Sequence, residues 1–221
     1  IQILEHGPTW CLGRDMDTFM LSDDQSNLIE RLNIKLYRTG APGGFDYLGP
    51  GILMVYMVNH LGHLSTESLA SFQASVHTLV TTALGDFEVT VEALELSPGH
   101  SSFMVGEKLV ASASIELAEE IACTRIRIHT NTDTTYLEPF QQEVEPWIRK
   151  HSSATVSKAC SDPNRFLTTL VELGMPVNRQ ENVRMSLMSH YEKMIPSKLN
   201  FLSLYFLINP KLLIFGDDIY T

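Results

Sequence analysis

An almost unbroken apolar run over residues 52–58, Ile-Leu-Met-Val-Tyr-Met-Val, restricts the fold of this chain more than any other feature. Such a run, without polar alternation, is typical of a strand that is buried on both faces. The chain can supply that burial, because 44% of its 221 residues are hydrophobic and 19% are charged. The length predicts one domain, or one domain with an extension, and the composition excludes disordered, collagen-like and coiled-coil chains.

Periodicity predicts the elements around this strand. Helical spacing of apolar residues predicts helices over residues 23–33, 69–84, 163–173 and 180–194, the last with Val183, Leu187, Met188 and Tyr191 facing inward. Alternation and short apolar runs predict strands over residues 1–4, 34–37, 87–91, 108–117 and 125–129. Few helices separate the strands, so the predicted fold is α+β, a largely antiparallel or mixed sheet with helices packed on one side.

Charge and cysteine content exclude several classes of function. Sixteen Lys and Arg residues against 26 Asp and Glu residues give a net charge of −10, the wrong sign for direct binding to nucleic acid. Cys11, Cys123 and Cys160 are too few and too widely spaced for a disulfide framework or a Cys-x-x-Cys metal site, and they favour a reducing compartment. His60 and His63 lack a third ligand, so no metal site is predicted.

No stretch reaches the roughly 18 to 20 apolar residues that cross a bilayer. The nearest approach is residues 199–215, which polar residues and a proline interrupt, and this segment is expected to be buried against protein. The chain begins at Ile1 without an initiator Met or a basic leader, so a processed or partly ordered product is expected.

A glycine-rich segment, residues 38–51, leads directly into the apolar run. Glycines at this density let the backbone approach a ligand closely. The segment resembles the signature of octanoyltransferases, the lipoate-biosynthesis branch of the biotin and lipoate protein ligase superfamily. The positions that match this signature without a gap are Arg38, Thr39, Gly40, Gly43, Tyr47, Gly49, Pro50 and Gly51. Residues 6–14 are similar to the family's first strand and its Leu-Gly-Arg turn.

The resemblance covers about residues 1–157 and begins inside the family's pattern. It implies a ligase-like domain over residues 1–157, followed by a helical, apolar C-terminal extension over residues 158–221. Lys108 is then the counterpart of the family's catalytic lysine, and residues 131–133 resemble the segment that follows. The implied substrate-binding residues are Arg38, Gly40, Gly43, Tyr47, Gly49, Pro50 and Gly51. Residues 38–44 do not resemble the adenylate loop of the lipoate ligases, and no cofactor is predicted.

This chain departs from the family at the residues that carry the chemistry. In octanoyltransferases a cysteine thiolate accepts the octanoyl group from an acyl carrier protein, and the lysine helps to activate it. That cysteine lies in a Pro-Cys-Gly turn, where this chain has Glu145-Pro146-Trp147. Cys160 is well downstream, and Cys11 and Cys123 fall in predicted strand segments. Other family residues are replaced by Ala41, Pro42, Leu48 and the pair Thr124-Arg125.

These departures favour an octanoyltransferase-like protein that has lost catalysis and serves as a structural or interaction subunit of a larger assembly. The alternative is an active, divergent transferase that uses Lys108 with an unrecognised nucleophile to move an octanoyl group from acyl carrier protein to a lipoyl-domain lysine. Protein partners are expected through the C-terminal extension, with acyl carrier protein and lipoyl domains added if the chain is active. The expected compartment is the mitochondrial matrix in a eukaryote and the cytoplasm otherwise.

The candidate residues also have plainer interpretations. Lys108 follows Glu107 at the start of a predicted strand, where a solvated lysine needs no special role. Arg125, Arg127 and His129 could bind an anion, although alternating charged residues are typical of the exposed face of a half-buried strand.

Overall fold

A computed structural model describes residues 1–12, 23–31, 35–38, 45–61, 66–97, 99–132 and 167–194. In chain order the elements are β1 (Gln2–Glu5), β2 (Thr9–Leu12), α1 (Asp23–Arg31), β3 (Lys35–Arg38), β4 (Phe45–Leu48), β5 (Ile52–His60), α2 (Thr66–Gly85), β6 (Glu92–Ser97), β7 (His100–Val105), β8 (Lys108–Ala118), β9 (Ile121–His129), a 3₁₀ turn (Val177–Arg179) and α3 (Gln180–Met194). They belong to two compact units. The first holds the described residues of 1–5, 51–132 and 167–194, and the second holds those of 6–50.

The first unit is built on a six-stranded sheet in the order β1-β5-β9-β8-β7-β6. Every neighbouring pair in it is antiparallel. With α2 and α3 this gives the predicted α+β architecture, which the structure confirms.

The core of the first unit joins the sheet to α2 and α3. Successive side chains of a strand point to opposite faces, so alternate residues of β5, β8 and β9 supply one apolar surface. The main core residues are Leu53, Val55, Met57, Phe103, Ala113, Ile115, Ile126 and Ile128 from the sheet, and Val76, Val80, Leu84, Val183, Leu187 and Tyr191 from the helices. Each fully buried aliphatic or aromatic side chain stabilises the fold by about 1.5–3 kcal/mol.

Strand β5 is buried on both faces at its start, as the apolar run predicts. Ile52, Leu53 and Met54 are consecutive and expose 1%, 0% and 4% of their surface. Because consecutive side chains alternate between faces, both faces of β5 are covered here.

The second unit contains a three-stranded mixed sheet. Strand β2 lies in the middle, parallel to β3 and antiparallel to β4. Trp10 and Tyr47 are paired across β2 and β4, with ring centroids 5.3 Å apart, and both are buried. The sequence did not predict β4, because its residues lie inside the segment interpreted as a glycine-rich loop.

The predicted strand over residues 87–91 is wrong. The amide of Val89 donates to the carbonyl of Leu84, and that of Glu88 donates to the carbonyl of Gly85, so these residues form the turn that ends α2. Glu88 has a φ of 61°, which is incompatible with extended backbone. The alternating apolar residues reflect burial of Val89, with Phe87 and Val91 packed against the core, and the strand begins at Glu92.

The predicted helix over residues 163–173 is wrong where the structure describes it, from Leu167 onward. The amides of Thr168, Leu170 and Val171 donate to the carbonyls of Leu109, His129 and Thr130, respectively. Backbone donors that are bonded to strand ends cannot form an α-helix, and residues 170–174 make a turn instead. Residues 163–166 lie outside the described part of the chain.

Helix α3 has the bounds that the sequence predicts. Val183, Leu187 and Tyr191 are buried at four-residue spacing. Met188, also predicted to face inward, is 37% exposed, because it lies off this stripe. Among the described helices, none is long and apolar enough to span a membrane.

Candidate functional site

Three segments of the first unit meet at one end of the six-stranded sheet. Both β5 and β8 pair antiparallel with β9, so their first residues lie at the same end as the last residues of β9. Gly51 precedes β5, Lys108 begins β8, and Asn131 follows β9. The structure therefore brings Gly51, Lys108 and Asn131, all singled out by the sequence, to one end of the sheet, which we call the site end.

Gly51 is held at the site end through both of its backbone polar groups. Its carbonyl accepts hydrogen bonds from the amides of Thr130 and Asn131, at 2.8 and 3.0 Å, and from the Thr130 hydroxyl at 2.9 Å. Its amide donates to a carboxylate oxygen of Glu5. Gly51 has a φ of 80°, and a Cβ there would overlap the Asn131 carbonyl, so the position requires glycine.

Two side chains of α3 contact the groups that hold Gly51. Gln180 Nε2 donates to Thr130 Oγ1 at 3.0 Å, and Arg184 Nη2 lies 4.0 Å from Glu5 Oε2. Residues four apart on a helix share a face, so both reach the sheet from the same side of α3. Part of the predicted C-terminal extension thus contacts the candidate site.

Lys108 is exposed at the first position of β8. The next residue, Leu109, is 8% exposed, and its carbonyl accepts the amide of Thr168 at 2.9 Å. Leu109 also forms a parallel bridge with Leu167. The lysine side chain therefore projects from a backbone position that is fixed by strand pairing on one side and by residues 167–168 on the other.

The alternating residues Arg125, Arg127 and His129 of β9 do not form the exposed face that their pattern suggests, because His129 is buried. Arg125 is half-buried and forms an ion pair with Glu116, and Arg127 is also half-buried. His129 is 4% exposed, and its Nδ1 lies 2.9 Å from Thr132 Oγ1. Burial lowers the pKa of His129 to about 3, with a further contribution from the Arg127 charge. The imidazole is therefore neutral at physiological pH.

The remaining described residues of the glycine-rich segment lie in the second unit. Arg38 ends β3 and is exposed, and Pro50 is also exposed. Tyr47 is 2% exposed, and a Cβ on Gly49 would overlap its phenol group. Gly49 is therefore a glycine because of packing against Tyr47. Gly40 and Gly43 lie outside the described residues.

Of the two described cysteines, the one on the six-stranded sheet lies at the end opposite the site end. Cys11 is on β2 in the second unit, and Cys123 is near the start of β9. At about 3.3 Å per residue, the six residues from Cys123 to His129 span about 20 Å. Burial raises the pKa of the Cys123 thiol, and the Glu116 charge raises it further, while Arg125 opposes them. Cys160 and residues 145–148 lie outside the described part of the chain.

In the described ranges, no three His, Cys, Asp or Glu side chains converge as metal ligands. His60 Nε2 lies 3.0 Å from Glu120 Oε2 at the far end of β5. His63 is outside the described residues.

Sequence reasoning missed Glu5, Gln180 and Arg184. Glu5 is 46 residues from Gly51, and no spacing rule connects the two positions. In the sequence, Gln180 and Arg184 look like polar surface residues of an amphipathic helix. Their contacts with Thr130 and Glu5 depend on how α3 packs against the sheet, which the sequence does not show.

Known proteins resemble this chain in sequence. No family model matches it. The octanoyltransferase of Syntrophobacter fumaroxidans is 29% identical over 136 residues, which cover 62% of this chain and 58% of that protein. The octanoyltransferase of Rhodopseudomonas palustris is 25% identical over 192 residues, or 82% of this chain and 69% of that protein. That of Solibacter usitatus is 25% identical over 138 residues, covering 62% of this chain and 60% of that protein, so the chain spans about three fifths of the first relatives' length.

Solved structures resemble the fold. A bipartite lipoate protein ligase from Thermoplasma acidophilum has a TM-score of 0.62 at 15% identity, covering 94% of this chain and 78% of that one. A lipoate-protein ligase A bound with ATP has a TM-score of 0.61 at 15% identity, covering 94% of this chain and 80% of that one. The comparisons confirm the resemblance to the octanoyltransferase branch and the lipoate-ligase-like fold.

Proposed function

We propose that this chain is an octanoyltransferase-like protein that has lost thiol-based acyl transfer and serves as an interaction subunit of a larger assembly. The observation that carries the proposal is the distribution of the thiols. Octanoyl transfer of the family type needs a thiolate next to the lysine, and no cysteine occurs between Cys123 and Cys160, where the resemblance places it.

The geometry of Cys123 supports this proposal. The thiol lies about 20 Å along β9 from the site end, by the rise of a strand. Its raised pKa keeps it protonated at neutral pH, whereas a nucleophilic cysteine needs a thiolate. Cys123 therefore does not replace the family's nucleophile from its place in β9.

The interaction role is supported by exposed apolar side chains on α3 and in the turn before it. Met185 on α3 and Val177 in the preceding turn are 66% and 58% exposed. The net charge of −10 disfavours encounter with acidic carriers such as acyl carrier protein and lipoyl domains, which repel it. A partner that covers an apolar surface through residues 158–221 fits these properties better, and we place such an assembly in the mitochondrial matrix of a eukaryote or in the cytoplasm.

One observation favours the alternative, an active and divergent transferase. Lys108, Gly51 and Asn131, which all fall in segments that resemble the family, lie at one end of the sheet. An enzyme of this kind would move an octanoyl group from acyl carrier protein to a lysine of a lipoyl domain.

Intact-mass spectrometry distinguishes the two functions. The full chain is incubated with octanoyl acyl carrier protein and an apo lipoyl domain. The intact masses of this chain and of the lipoyl domain are measured over time. We expect no octanoyl adduct on either one. Octanoylation of the lipoyl domain that is lost in Lys108→Ala and kept in Lys193→Ala, a matched change of an exposed lysine on α3, would establish the enzyme.

A further inference from the structure

We infer that Glu5 is a positioning residue that fixes the orientation of the Gly51 amide, and that Gly51 is an anchor of the site end instead of contacting a ligand. The inference concerns the site of the proposed function but does not depend on whether catalysis survives, because it rests only on contacts between residues of the first unit.

The argument starts from the hydrogen-bonding capacity of Gly51. A backbone residue offers one N–H donor and one carbonyl with two lone pairs. The carbonyl of Gly51 already accepts from the amides of Thr130 and Asn131 and from the Thr130 hydroxyl, with the Thr132 hydroxyl at 3.4 Å. Its N–H donates to Glu5. Neither group remains available to a substrate.

Because Pro50 precedes it, the Gly51 N–H is one of few backbone donors in this part of the chain. Pro50 has no backbone N–H, so the three-residue segment Gly49-Pro50-Gly51 carries donors at Gly49 and Gly51 alone. The Glu5 carboxylate takes the second of them through a charge-assisted hydrogen bond, which is stronger than a bond between neutral groups. It therefore fixes the direction of the Gly51 N–H bond.

Glu5 is itself held in place by two elements. As the last residue of β1, it pairs with Leu53 of β5, two residues beyond Gly51. From α3, Arg184 faces its carboxylate at 4.0 Å, and Arg184 Nε also lies 3.7 Å from Glu181. A shift in the position of α3 would change the environment of the same carboxylate that orients Gly51.

Nuclear magnetic resonance of the full, ¹⁵N-labelled chain tests the inference. The Gly51 amide proton is expected to move upfield in Glu5→Gln, because this variant keeps an acceptor but not the charge and therefore makes a weaker hydrogen bond. Hydrogen exchange at Gly51 should become about five- to tenfold faster, because a hydrogen bond to a charged group is stronger than one to a neutral acceptor by about 1–1.4 kcal/mol.

Glu181→Gln is the matched control, because Glu181 also pairs with Arg184 but does not contact Gly51. It should leave the chemical shift and the exchange rate of the Gly51 amide unchanged. The inference is overturned if Glu5→Gln leaves both unchanged, or if the two variants change them equally. Should Glu5→Gln fail to fold, Glu5→Asp, which keeps the charge on a shorter side chain, is measured against the same control. A general structural role of Glu5 would speed exchange throughout the six-stranded sheet and not chiefly at Gly51, and this result would also overturn the inference.

Discussion

At positions with positive φ, the side chain that a residue can carry depends on the atoms that lie next to its Cα. Gly51 and Gly106 both have positive φ, at 80° and 61°, yet only Gly51 faces another backbone segment. A Cβ added to Gly106 would have nothing within 4 Å of it. The two glycines therefore separate the cost of a left-handed conformation from the cost of steric overlap.

Alanine substitution at these two glycines should differ markedly in effect. Gly106→Ala carries the left-handed penalty alone, about 1–2 kcal/mol of unfolding free energy. Gly51→Ala adds an overlap with the Asn131 carbonyl and displaces its hydrogen bonds, so we expect a loss of about 4 kcal/mol or more. Urea denaturation of both variants measures the difference, and equal losses would contradict the close contact at Gly51.

A second prediction at this scale concerns the buried imidazole of His129. In the unfolded chain it binds a proton below about pH 6.5, whereas in the folded protein its pKa is about 3. The unfolded state therefore binds more protons between these values, and stability falls as pH falls through this window. This one group contributes a slope of up to about 1.4 kcal/mol per pH unit.

His129→Asn, which cannot be protonated, should lose that contribution to the slope. Urea denaturation at several pH values between 4.5 and 7 compares the variant with the wild type. Other titrating groups contribute equally to both proteins, so the difference between the two slopes isolates His129. Parallel pH profiles would show that His129 is not buried in the neutral form.

At the scale of elements, the sequence predicted those whose pattern reflects their own burial. β5 carries an almost unbroken apolar run, and α2, β8, β9 and α3 carry periodic apolar patterns, and the structure contains each of them. Residues 87–91 and 167–174 also carry apolar patterns, but backbone bonds to Leu84, Leu109, His129 and Thr130 decide their conformation. Those partners are distant in sequence or depend on the end of a helix, so local periodicity misassigned both segments.

The residues of the candidate site also fall into those that the sequence could predict and those that depend on tertiary packing. Lys108 and the glycine-rich segment were found because they form a motif, and motifs are contiguous in sequence. Glu5, Gln180 and Arg184 depend on the docking of β1 and α3, which no contiguous pattern encodes.

Adjacent residues of α3 provide a test of how this helix packs. Leu187 is fully buried in the core, and its neighbour Met188 is 37% exposed. Leu187→Ala should lower the unfolding free energy by about 2–5 kcal/mol, the usual cost of a buried leucine. Met188→Ala should change it by less than about 0.5 kcal/mol, as is usual for surface positions. Thermal or urea unfolding of the pair measures both, and similar losses would show that α3 is rotated from its position here.

At the scale of the whole molecule, the resemblance to octanoyltransferases and the packing of the core extend over different parts of the chain. The resemblance covers about residues 1–157, which predicts a domain that ends there. The core of the first unit nevertheless includes Leu170, Met175, Val183, Leu187 and Tyr191. Residues 167–171 also supply three backbone hydrogen bonds to β8 and to the end of β9.

A chain that ends at residue 157 tests whether the first 157 residues fold alone. It would lack α3 and leave the facing side chains of α2 and the sheet exposed to water, and each buried side chain of the lost group contributes about 1.5–3 kcal/mol. Since natural domains are stable by only about 5–15 kcal/mol, we expect this shorter chain not to unfold cooperatively. A chain that ends at residue 194 keeps every described core residue and should show a cooperative transition by circular dichroism. Cooperative unfolding of the 157-residue chain would instead establish residues 158–221 as a separable extension.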